Sequence, residues 1–151
     1  MTIEEFIEAR LDEDEAIAKA AGGDRWAYDN ETRPGRILYT PQAANGEVYR
    51  PDSTREVSYG SGRIDHDYAY VTCDHEGLLP SVDAEEAEHI ARHDPARVLR
   101  EVKAHRGIVS QYRLLQPFDL PKSMLAAFEL NVRVIARIYA DHPDFREEWA
   151  A

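Results

Sequence analysis

One cysteine, Cys73, stands in the 151 residues, so no intrachain disulfide can form, and a lone thiol is short of the ligand set of a cysteine-rich zinc site. Cys73 reads as a passive strand residue in a reducing compartment. No apolar run approaches the roughly 18 residues of a membrane-spanning helix, and the start Met1-Thr-Ile-Glu-Glu-Phe6 is acidic where a secretory signal is basic. The expected location is therefore the cytoplasm, with no membrane contact. Positive charge is scarce as well. Eighteen Lys and Arg face 29 Asp and Glu, a formal net charge of -11, whereas a general nucleic-acid binder concentrates Lys and Arg against phosphate. Direct nucleic-acid binding is not expected. Gly60-Ser-Gly62 has no Lys-Ser/Thr after it and reads as a tight turn, not a phosphate loop. Neither Cys73 nor any serine sits in a nucleophile elbow.

What the chain does have is enough apolar content to fold: 43% hydrophobic and 9% aromatic residues, against 31% charged residues that make a wet surface. A chain of this length buries about two-thirds of its unfolded surface, which predicts a single domain over 1–151 with no staples.

Thr2-Ile-Glu-Glu5 has the form of a capping box and Gly22-Gly23 that of a helix stop, which predicts a helix over 3–21. Its apolar stripe is Ile3, Phe6, Ile7, Leu11, Ile17, Ala18 and Ala21. From 24 to 82 the texture changes to short β-branched and aromatic runs divided by Gly, Pro, Asn and Asp. Residues 36–40, 47–50 and 56–59 are short strand candidates, Asn45-Gly46 is a hairpin turn, and Ile64 to Cys73 is the strongest strand. Ser81 or Asp83 caps a short helix over 84–93. Asp94-Pro95 is an N-cap followed by proline at the first helical position, and opens a helix to Leu115. After Pro117 and Pro121, the stripe Met124, Leu125, Phe128, Val132, Ile135, Ile138 and Tyr139 predicts a last long helix ending near Ala140. Residues 144–149 suit a final turn. The predicted fold is α+β, a small antiparallel sheet of three or four strands flanked by an N-terminal helix and C-terminal helices.

Three blocks carry a likeness. They are Ile3-Glu-Glu-Phe6 with Ala9-Arg-Leu-Asp-Glu-Asp-Glu15, His89-Ile-Ala-Arg-His-Asp-Pro-Ala-Arg-Val-Leu-Arg-Glu-Val102, and Tyr139-Ala-Asp-His-Pro-Asp-Phe-Arg-Glu-Glu-Trp149. Together they resemble an uncharacterised family of small actinobacterial and actinobacteriophage proteins. The resemblance implies a bacterial or phage-infected host cell, and brings no activity and no catalytic residues. Residues 30–62 fall outside it and read as a strand-rich insertion.

The candidate sites follow from charge and spacing. His89 and His93 are four apart on a predicted helix and share a face, a spacing used by zinc and other divalent metals, but a third ligand would have to come from His66, His75 or His142. The His66-Asp67 and His93-Asp94 pairs invite comparison with metal phosphohydrolases, yet Pro95 makes Asp94 a structural cap. Residues 2–21 hold seven acids, and Glu8, Asp12 and Glu15 are candidates to meet a partner. Arg97 and Arg100, with Lys103 and Arg106, form a basic stripe that could meet those acids or a separate partner. Trp149 is a candidate aromatic anchor, as are Trp26 and Phe145. The expectation is a non-enzymatic accessory or regulatory protein with a protein partner and no cofactor. In one version it is phage-encoded and imitates the charge of DNA against a host factor. The rival is a metal-binding module or metal-dependent hydrolase on His89 and His93.

Overall fold

The computed structural model describes residues 1–29, 47–58, 64–72 and 84–150. Its elements are α1 (Ile3–Ala20), β1 (Ala27–Asp29), β2 (Glu47–Ser58), β3 (Ile64–Thr72), α2 (Ala84–Arg92), α3 (Pro95–Leu115) and α4 (Lys122–Ala136), followed by 3-10 turns at Arg137–Tyr139 and Glu147–Trp149. The architecture is α+β, and the strands among the described residues form one antiparallel sheet in the order β1-β2-β3. The expected strand at 36–40, the turns at Asn45-Gly46 and Gly60-Ser-Gly62, Cys73, His75 and the caps Ser81 and Asp83 lie outside the described residues.

The chain divides into two compact units, Met1–Ala20 with Val98–Ala151, and Ala21–Arg97. In the first, α1 begins with a reciprocal box: Glu5 N–H donates to Thr2 Oγ1 at 3.2 Å and Thr2 N–H to Glu5 Oε2 at 2.7 Å. Phe6, Ile7 and Leu11 of α1 pack with Val102 and Val109 of α3, Val132, Ile135 and Ala136 of α4, and Trp149. Each large apolar side chain taken from water there contributes about 1.5–3 kcal/mol. The stripe read for α4 is wider than the face it buries. Met124 and Ile138 are exposed, because at the helical period they stand about 80° and 120° around from Val132.

In the second unit α2 packs on β1 and β2, with Ala87 and Val48 fully buried. The two short strands expected at 47–50 and 56–59 are one strand, β2. It carries an irregularity: Arg50 pairs with Ala69 and Thr54 with Tyr68, so four steps along β2 match one along β3. Pro51 has no N–H to give to a ladder, and the slip in register falls where it stands. A smaller shift lies at Val48, whose N–H donates to the Thr72 hydroxyl at 3.0 Å.

Within this unit the turn after Ala20 meets Asp94 and the first residues of α3, up to Arg97. Gly22 has φ 108°, and a Cβ there would meet Asp24 Oδ1 at 2.9 Å and Arg50 Nη1 at 3.0 Å, so only glycine fits. Asp24 C=O accepts the Ala96 N–H at 3.1 Å. Asp94 is buried and divides its carboxylate between two backbone donors, Arg97 N–H at 2.6 Å and Trp26 N–H at 3.3 Å. The first bond caps α3 and the second ties the 24–26 segment to that cap. Asp94→Ala is expected to lower stability by about 0.5–2 kcal/mol, toward the upper end because the Trp26 N–H also loses its acceptor. A denaturant melt checks this, and an unchanged midpoint would contradict the capping role.

Candidate functional site

Arg10 interrupts the apolar face of α1. It lies one turn beyond Phe6, so its guanidinium sits over the Phe6 ring, 5.7 Å from the centroid, and its side chain is only 10% exposed. Nη2 donates to Glu13 Oε1 at 2.7 Å, Nη1 contacts His142 Nε2, and Nε is buried with no acceptor among the described residues. The partner side of this arrangement is the turn that ends α4. Tyr139 donates its hydroxyl to Asp14 Oδ2 at 2.7 Å, and burial, then this hydrogen bond and the Asp14 charge, push its phenol well above the usual range. His142 meets Phe6 edge to face at 5.8 Å, and its Nδ1 accepts the Asp144 N–H at 3.1 Å. Between the two walls is a hollow of about 250 Å³ lined by Arg10, Glu13 and Asp14 of α1 and by Tyr139, Asp141, His142 and Pro143.

None of these residues was singled out in sequence as a site except His142, as a possible third metal ligand. A signal was present for Arg10, since a single cation inside a stripe of Ile3, Phe6, Ile7 and Leu11 must be desolvated when the helix packs. Nothing periodic links residue 10 to residues 139–143.

The acids and bases of the same unit meet each other. Arg106 of α3 lies 3.5 Å from Glu8 Oε2, 2.5 Å from Asp12 Oδ1 and 2.5 Å from Glu15 Oε2, and Arg113 lies 3.2 Å from Glu8 Oε1. Glu15 also pairs with Lys19. Hydrogen bonds from Lys19 and Arg106 hold the Glu15 carboxyl below its usual range, and the hydrogen bond from Glu15 holds Arg106 above its own. Glu8, Asp12 and Glu15 are therefore largely balanced within the chain. Trp149 is buried against Phe6 and Phe145, with Arg146 over its ring at 5.4 Å.

His89 and His93 stack, with ring centroids 4.3 Å apart and planes 34° apart, and His93 Nδ1 is 2.9 Å from the His89 carbonyl. Both are exposed. Among the described residues no group of three or more His, Cys, Asp or Glu side chains could hold a metal ion. Arg97 Nη1 donates to the Arg92 carbonyl at 3.0 Å, while Arg100 is exposed.

One surface differs from the rest. Leu130 and Val134, one turn apart on the side of α4 turned away from Val132, are 52% and 48% exposed, and Ile138, in the 3-10 turn that follows α4, is 56% exposed. Leu114 and Phe118, at and after the end of α3, are exposed too.

A family model described as a family of unknown function, DUF6221, matches residues 1–151. No curated protein and no solved structure matches the chain.

The Glu15 shift fixes the sign of a pH effect. A carboxyl whose folded value is depressed adds stability above its unfolded value, 4.5, and that contribution is lost as pH falls through the folded value. Arg106→Gln should flatten part of the loss of melting temperature that the wild type shows as pH is lowered below the unfolded value of Glu15. Parallel losses in the two proteins would show that Arg106 does not hold Glu15 ionised.

Proposed function

The chain belongs to this family of unknown function, and on that premise we propose a non-enzymatic accessory protein that acts by contacting another protein through α4. The single observation that carries the reading is the exposed row of Leu130, Val134 and Ile138. Large apolar side chains one turn apart on the outer side of a packed helix, continued by a third in the turn that follows it, are what a partner's groove takes up, and leaving them in water has no structural return for this chain.

The remaining features support contact with protein rather than with phosphate or lipid. The net charge of -11 opposes binding to nucleic acid, and no helix among the described residues is long and apolar enough to cross a membrane. Because Glu8, Asp12 and Glu15 are largely balanced by Lys19, Arg106 and Arg113, it is the apolar row that holds the partner, and the remaining net negative charge of the chain steers the encounter. Imitation of DNA charge by those acids is the weaker version for the same reason. The likeness to actinobacterial and actinobacteriophage proteins supports a bacterial cytoplasm as the compartment and a host protein as the partner. The alternative of a zinc or other divalent-metal module rests on His89 and His93 alone.

Affinity capture from an actinobacterial lysate at low and high salt tests the reading, with wild type beside Val134→Glu/Ile138→Glu and Glu8→Lys/Asp12→Lys/Glu15→Lys. The expected result is a protein retained by wild type, released at least about tenfold by the α4 variant, a loss of roughly 1.4 kcal/mol or more, and affected by the acidic-helix variant chiefly at low salt. Equal retention by wild type and the α4 variant, at matched melting temperatures, would contradict it.

A further inference from the structure

Two imidazoles lie side by side on the exposed side of α2. His89 is in its last turn and His93 just past its end, with ring centroids 4.3 Å apart and planes 34° apart. His93 Nδ1 is 2.9 Å from the His89 carbonyl oxygen. A carbonyl only accepts, so Nδ1 carries the proton and donates it, and the lone pair of the neutral ring is at Nε2. A bond of this kind is what orients a metal-ligating histidine, because the backbone oxygen determines the tautomer and leaves the other nitrogen for the ion. Two imidazoles on one tetrahedral zinc, each bound at about 2.0–2.1 Å, have centroids about 5 Å apart, so this pair at 4.3 Å has to open by less than about 1 Å.

Two ligands leave a tetrahedral ion half coordinated. The acids next to the pair are engaged: Glu88 with Arg92 at 2.6 Å, and Asp94 with the backbone N–H groups of Arg97 and Trp26. His142 faces Arg10 and the Asp144 N–H. Among the described residues no third His, Cys, Asp or Glu completes a metal site with the two rings. Both rings are exposed and so open to a second copy of the chain. A two-fold axis through the ion brings four imidazole nitrogens from two copies, the number that zinc takes. Charge makes such a pairing conditional. Glu85, Glu86 and Glu88 outnumber Arg92 on α2, so two copies meeting there repel each other until a divalent cation lies between them.

We propose that His89 and His93 of two copies bind one zinc ion between them, so that zinc joins the chains in pairs through α2. His93 ligates through Nε2, with its Nδ1–H kept on the His89 carbonyl. The site does not use the apolar row of α4, and the pairing it produces is separate from the contact proposed for that row.

The test is a titration of the full chain, purified without a histidine tag and stripped of metal, with zinc chloride, following heat by calorimetry and molar mass by light scattering. Binding should saturate at one zinc per two chains, and the mass should double as zinc is added and return to that of the monomer with a chelator. Magnesium, a hard ion that prefers oxygen ligands, should leave the chain monomeric. His89→Ala and His93→Ala, both at exposed rings, should each weaken zinc binding at least about tenfold and stay monomeric in zinc, with the melting temperature of the metal-free wild type. Saturation at one zinc per chain with no change of mass would place the remaining ligands within one chain or in water, and would overturn the proposal. A doubled mass before zinc is added, zinc-driven pairing undiminished in both variants, or no saturable binding of zinc would overturn it too.

Discussion

The burial of Phe6 is the constraint on which the unit built from the two ends of the chain depends. Its ring is fully buried and stands 6.4 Å from Tyr139, 5.8 Å from His142, 6.1 Å from Phe145 and 4.9 Å from Trp149. Four rings from one eleven-residue stretch thus converge on one side chain of the first helix. Edge and tilted ring pairs each add about 0.5–1.5 kcal/mol beyond the area they bury, and a backbone as irregular as 137–149, with only 3-10 turns of its own, has no other comparable source of order. The terminal segment is held by what it packs on.

That packing also creates the site. Once Phe6 faces inward, the helical period carries Arg10 inward one turn later, and a buried guanidinium needs partners. It takes Glu13 from its own helix and the ring of His142 from the turn that Phe6 has drawn in. Glu8, Asp12 and Glu15 of α1 point elsewhere, to Arg106 and Arg113 of α3, where exposure and salt keep each pair weak and the network as a whole gives register rather than strength. Core, hollow and ion network are therefore three consequences of one helix orientation, while the outer row of α4 is left with no role inside the unit.

Much of the backbone was legible because its signals are local. The Thr2/Glu5 box, the Asp94-Pro95 step and the proline-bounded start of α4 place helix ends within a residue or two of where they occur. Period alone could not tell that Pro51 would be carried inside one strand by a slip in register, since that depends on what β3 offers opposite. The same limit applies to α4, where apolar residues occupy more than one face and only packing decides which are buried. His89 and His93 were conspicuous by spacing, yet spacing states that two rings share a face and not that anything joins them. Arg10 and His142, which the fold does bring together, are separated by most of the chain: the apolar stripe around Arg10 signals its burial and not its partner, and His142 looks in sequence like a helix-ending His-Pro step.

The central claim is that Phe6 pins the terminal turn to α1 and so forms the hollow. Hydrogen exchange of residues 139–149, compared between wild type and Phe6→Ala, tests it most directly. Removing the ring should cost about 3–5 kcal/mol in a denaturant melt and leave the backbone amides of 139–149 exchanging at the rate of an unprotected chain, while α4 retains slower exchange. Protection of 139–149 equal to that of the wild type would show that the segment is ordered without Phe6, and the account would be wrong.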